Sequence, residues 1–94
     1  MSRELVIVHE PGRLVARVGG EAAFLVYEQR GDVLDVQHHY TPPALRGRSL
    51  AAALTRAALD YAAARGLKVV PTCPYTRNYF ARHPEVQGLR APGV

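Results

Sequence analysis

Between Ser49 and Arg65 the apolar residues Leu50, Ala53, Leu54, Ala57, Ala58, Tyr61 and Ala62 recur at helical spacing, and the chain on either side is β-rich. Val33 to Thr41 before it and Lys68 to Thr72 after it read as strands, so the three make a strand–helix–strand unit. Such a unit closes by a right-handed crossover that lays its strands parallel, which removes most competing topologies. Ser49 suits the N-cap or first turn of the helix, and Gly66 is its C-terminal stop. The many alanines keep the helix slim enough to lie close on a sheet.

Three more strands precede this unit. Leu5-Val6-Ile7-Val8 is bounded by Pro11-Gly12, Arg13 to Val18 alternates up to Gly19-Gly20, and Ala22 to Glu28 is apolar on both faces, which suits a central position. Arg30-Gly31-Asp32 turns the chain into the fourth strand, whose alternation puts Leu34, Val36, His38 and Tyr40 on one face. The turn accounts fully for the Arg-Gly-Asp tripeptide. Pro71 cannot donate to a ladder and belongs at a bulge or edge. A second, shorter helix spans Tyr75 to Arg82, His83-Pro84 ends it, and the remainder to Val94 reads as loop or frayed tail. The expected class is α+β (mixed α/β): a five-stranded mixed sheet, an antiparallel meander followed by a βαβ crossover and a short C-terminal helix.

At 94 residues the chain makes a single domain, 1–94, and 48% hydrophobic with 21% charged residues is a folded composition. Cys73 is the one cysteine, which excludes an internal disulfide and fits a reducing compartment. Charged residues and glycines interrupt every apolar run, and Met1-Ser2-Arg3-Glu4 lacks a signal-peptide core, so no membrane span and a cytoplasmic location are expected. A net charge of +4 calls for an anionic partner. The arginines are scattered, with no basic stripe or aromatic platform, which argues against nucleic acid and for a phosphorylated small molecule.

The place to receive one is the turn into the first helix. From Tyr40-Thr41-Pro42-Pro43 an extended segment runs through Arg46-Gly47-Arg48-Ser49 into Leu50 and Ala51. The first amide groups of a helix have no intrahelical partner and carry the positive end of its dipole, so they can take a phosphate. This string resembles the coenzyme A pyrophosphate signature of the GNAT N-acetyltransferase superfamily, Gln/Arg-x-x-Gly-x-Gly/Ala, and departs from it at Ser49, where the family usually has glycine. Leu-Arg-Gly-Arg, Arg-Gly-Leu-Lys-Val-Val-Pro, Cys-Pro-Tyr and Arg-His-Pro-Glu together look most like its short stand-alone, YjdJ-like branch. The resemblance implies acetyl-CoA as acyl donor, with Arg46, Gly47, Arg48, Ser49, Leu50 and Ala51 around the diphosphate. It also implies main-chain contacts from Tyr40 and Thr41 to the pantetheine arm.

It further implies a role for Tyr79, which stands seven residues after Thr72, where many family members carry the tyrosine that protonates the departing thiolate. A phenol is an acid of about thiol strength and suits that step. Cys73 follows the fifth strand, near where a thioester would lie, and could relay the acyl group. An amine acceptor must lose a proton, and His38, His39 and Glu85 are the nearest bases; the two histidines point to opposite faces, so at most one can serve. The catalytic candidates are Tyr79, Cys73 and His39. No pair among His9, His38, His39, His83 and Cys73 has the tight spacing of a metal motif. The expected function is N-acetyl transfer from acetyl-CoA to an amine by direct attack on the thioester, the alternative being a coenzyme A-binding module with little or no catalysis.

Overall fold

The structure, a computed structural model, describes residues 6–93; Leu5, expected to open the first strand, and Val94 lie outside them. Strands β1 (Val6–Glu10), β2 (Arg13–Val18), β3 (Glu21–Arg30), β4 (Val33–Tyr40) and β5 (Lys68–Pro71) form one sheet in chain order. The first four pair antiparallel, and β5 runs parallel to β4 from Val33↔Lys68 to Val36↔Pro71. Each hairpin turn holds a glycine at positive φ, Gly12, Gly19 and Gly31; in the last two turns it is the first central residue, which matches the twist of the flanking strands. β3 is central, and Pro71 is on the edge strand, as a residue without a donor requires.

Helix α1 (Leu50–Arg65) crosses from β4 to β5 and stops at Gly66, which is left-handed and whose N–H reaches Ala62 O and Ala63 O. Its buried face is Leu50, Leu54, Thr55, Ala58, Leu59 and Ala62. The stripe is rotated from the one the alanine spacing suggested: Ala57 and Tyr61 sit at its margin, and a threonine lies inside it. Helix α2 (Pro74–Arg82) has proline in its first turn, where the missing N–H costs nothing, and inserts Phe80 into the same cluster. Leu25, Leu34, Leu54, Leu59 and Phe80 are fully buried there, each stabilising by about 1.5–3 kcal/mol relative to exposure.

Three expectations are corrected. The register steps from Val26↔His38 to Tyr27↔Val36, so Gln37 is an extra residue in β4, a bulge that inverts the alternation beyond it. His39 therefore joins Leu34 and Val36 on the helix side, whereas His38 and Tyr40 turn to the opposite face beside Phe24. The C-terminal stretch is docked, not frayed: a 3-10 helix (Pro84–Leu89) buries Val86, and Arg90 and Ala91 add to the outer edge of β5 through an Arg90 bridge and an Ala91 N–H to Val69 O bond of 2.8 Å. Finally, β4 stops at Tyr40, and a 3-10 turn (Pro43–Leu45) intervenes before the helix, because two consecutive prolines deny the strand its donors.

Candidate active site

β5 ends at Pro71 while β4 continues to Tyr40, so the parallel strands part company after Val36. The last link between them is the Cys73 N–H to Val36 O bond of 2.9 Å, after which the chain turns outward into α2. The gap is framed by the end of β4, the turn into α1 and the first turn of α2.

The turn into α1 is shaped by two left-handed residues, Gly47 at φ 82 and Ser49 at φ 59. Ser49 occupies the N-cap position, but its hydroxyl makes no capping bond. In the left-handed conformation the side chain is not set to reach the amides ahead of it, so the cap expected there is absent. The first intrahelical bond is Ala53 N–H to Ser49 O at 3.1 Å, which leaves the amides of Leu50, Ala51 and Ala52 without helical partners. Arg46 folds back to donate from Nε to Thr41 O at 3.2 Å, bracing the turn. A cavity of about 340 Å³ results, lined by Thr41, Leu45, Arg46, Gly47, Ser49, Leu50, Ala51 and Tyr75. Of the predicted cofactor residues, Arg48 and Tyr40 do not line it; Arg48 is exposed, and Tyr40 is on the far face of the sheet.

Deeper in, His39 lies between two polar groups. Its Nδ1 is 3.2 Å from Cys73 Sγ and its Nε2 is 2.8 Å from Thr55 Oγ1. Burial, with a smaller contribution from His38, lowers the His39 pKa to about 4, so the imidazole is neutral near pH 7. Cys73 is buried and stands at the N-cap of α2. Tyr75, in the first turn of α2, lies against the His39 ring at 5.0 Å between centroids and also walls the 340 Å³ cavity. It thus stands between that cavity and the Cys73–His39 pair.

Tyr79 lies one turn further along α2. It is buried, stacked on His83 with ring centroids 4.0 Å apart, and faces a second cavity of about 180 Å³ lined by Ala52, Tyr75, Asn78, Tyr79, Arg82 and His83. The Arg56 guanidinium is held above its usual range first by a hydrogen bond with Tyr79 and then by Asp60. The structure groups Cys73 with His39 and sets Tyr79 apart in this aromatic stack. Glu85 is exposed and pairs at 3.2 Å with His83, the ring stacked on Tyr79.

Asp35 is the buried carboxylate of β4. Burial raises its pKa, but hydrogen bonds from Thr72, Arg30 and Gln37 outweigh that and hold it below the usual range. Through Thr72 it fixes the residue just past the end of β5.

Sequence reasoning missed Thr55 and Tyr75. Thr55 stands out only as a hydroxyl in an otherwise aliphatic helix face. Tyr75 reads in the sequence as the start of a helix, and its place between cavity and histidine depends on a tertiary approach that no local pattern encodes.

A family model described as GCN5-related N-acetyl-transferase matches residues 13–89. The chain is similar to Protein NATD1 of Gallus gallus and of Mus musculus, 40% identical over 70 residues, which is 73% of this chain and 64% of each relative. The match thus spans slightly under two thirds of those relatives' own length. Protein NATD1 of Danio rerio is 34% identical over 94 residues, covering 95% of this chain and 86% of that one. Among solved structures, the solution structure of a GCN5-like protein from Staphylococcus aureus superposes with a TM-score of 0.72 over 93% of this chain and 88% of that chain, at 14% identity. At that identity the likeness is one of fold.

Proposed function

The chain belongs to the GCN5-related N-acetyltransferase family, and from that membership we propose that it transfers an acetyl group from acetyl-CoA to an amine. The observation that carries this reading is the cavity at the start of α1, where free amides of Leu50 to Ala52, two left-handed residues and Arg46 converge. An anion the size of a diphosphate suits such a site, and neighbouring Tyr75 marks the way from it to Cys73 and His39.

Acetyl-CoA supplies the acetyl group already activated as a thioester. Contact between Cys73 Sγ and a neutral imidazole supports a covalent route. Cys73 Sγ forms the new bond to the acetyl carbon as the bond from that carbon to the donor sulfur breaks. The Cys73 proton passes to His39 Nδ1 and on to the departing sulfur. The amine then attacks the acetyl-Cys73 carbon, its proton goes to His39 Nδ1, and Cys73 recovers it as the carbon–sulfur bond breaks. Tyr79, the proton donor expected from sequence, stacks on His83 and faces the second cavity, which Tyr75 also lines.

A second reading, a coenzyme A-binding module without turnover, is favoured by the depth of Cys73, only 6% exposed. Intact-mass spectrometry after mixing with acetyl-CoA separates the readings. The covalent route gives an acetyl adduct that is absent from Cys73→Ala and discharged by amines. Amine acetylation by Cys73→Ala at the wild-type rate would instead establish direct attack, and binding with neither adduct nor transfer would establish the module.

A further inference from the structure

Thr55 is 1% exposed on the face of α1 that is otherwise Leu50, Leu54, Ala58, Leu59 and Ala62. A hydroxyl there must be satisfied, because burying one without a partner forfeits its hydrogen bonds to water with nothing in return. It has two partners, Ala51 O at 2.8 Å and His39 Nε2 at 2.8 Å.

Those two contacts fix every proton between them. A carbonyl oxygen only accepts, so the single Thr55 proton goes to Ala51 O. The Thr55 oxygen is then left as acceptor toward His39, and Nε2 must be the nitrogen that carries hydrogen. Burial keeps the ring neutral near pH 7, so Nδ1 holds a lone pair, and it is this nitrogen that faces Cys73 Sγ. The thiol donates to it. Protons are thus ordered along one line, Cys73 to His39 to Thr55 to Ala51 O.

The geometry points to Thr55 as a positioning residue that holds His39 in the Nε2–H tautomer, leaving Nδ1 free to take the Cys73 proton. Resting on the covalent route above, this gives the site the three-part logic of a nucleophile, a base and a group that orients the base. The third part here is a neutral hydroxyl anchored to the helix backbone. Among the described residues no charged group takes that place: the groups facing His39 are Thr55 from α1, Cys73 at the N-cap of α2, Tyr75 from α2, and His38 on its own strand. Ala51, whose carbonyl holds the line, also lines the cavity at the start of α1, so one residue ties anion site and base together.

The test compares wild type, Thr55→Val, which keeps the shape and removes the acceptor, and Thr55→Ser, which restores it. Long-range nitrogen–proton correlation spectra of the histidines report the His39 tautomer, and iodoacetamide reports Cys73 reactivity without any cofactor. Wild type and Thr55→Ser should show Nε2–H. Thr55→Val should show a tautomer mixture, with Cys73 alkylated about 10- to 100-fold more slowly, by analogy with the loss of a group that orients a metal-ligating histidine. Thr55→Ser should recover most of that rate. An Nδ1–H tautomer in wild type overturns the proposal without any variant, as does wild-type tautomer and reactivity in Thr55→Val. Failure of the covalent route shows separately, as no acetyl adduct in wild type whatever the tautomer.

Discussion

At the scale of single residues the turn into α1 turns on Ser49. Its φ of 59 and ψ of 26 place a residue with a Cβ in the left-handed region, where the strain is about 1–2 kcal/mol. Glycine removes the strain at some cost in unfolded-state entropy. Ser49→Gly should therefore raise unfolding stability by up to about 1 kcal/mol and tighten acetyl-CoA binding, read by urea titration and calorimetry. Clear destabilisation or weakened binding would mean that the serine hydroxyl has a role the backbone does not reveal. The need for glycine-like backbone could be read from the sequence, since the resemblance marks this place as glycine. That the need is met by strain, with no cap from the hydroxyl, is visible only in the dihedral angles.

Among the elements, the C-terminal 3-10 helix is where expectation and structure differ most. Pro84, Gly88 and Pro92 read locally as loop, and the three-residue spacing of Val86 and Leu89 is too short a pattern to signal packing. Val86 is nonetheless 6% exposed, and Lys68 Nζ and Gln87 Nε2 bond to backbone carbonyls across the junction. Val86→Ala should cost about 2 kcal/mol in chemical unfolding, where the same change in a free tail would stay within about 0.5 kcal/mol. By contrast the meander, the crossover and both α-helices were legible, because periods of two and of 3.6 residues and glycine turns are local signals. The bulge at Gln37 was not, because His38 and His39 are equally polar and alternation cannot choose between them. The same blindness hid the Cys73–His39–Thr55 grouping, which draws one residue each from a strand, a helix and a helix start.

For the whole molecule, acid should be a specific stress. His39 has a folded pKa of about 4 against 6.5 unfolded, so between those values the unfolded chain takes up a proton that the folded chain refuses. His9 is lowered too, by burial and then by Arg65, and Asp35 is lowered by its hydrogen bonds, so both act in the same direction. Stability should be flat above about pH 6.5 and fall toward pH 4, with roughly 3 kcal/mol at most from His39. Urea midpoints across this range would show it, and His39→Gln should flatten most of the slope. An unchanged slope in that variant would assign the acid sensitivity elsewhere. Chain-order strand pairing has one more result at this scale. Nearly everything that frames the site lies between His39 and His83, whereas β1 sits at the far edge of the sheet, and the family match begins only at Arg13, where β2 starts. Damage to β1, which carries Ile7 and His9 onto the core but lies far from the site, should therefore appear in expression and melting temperature long before it appears in turnover.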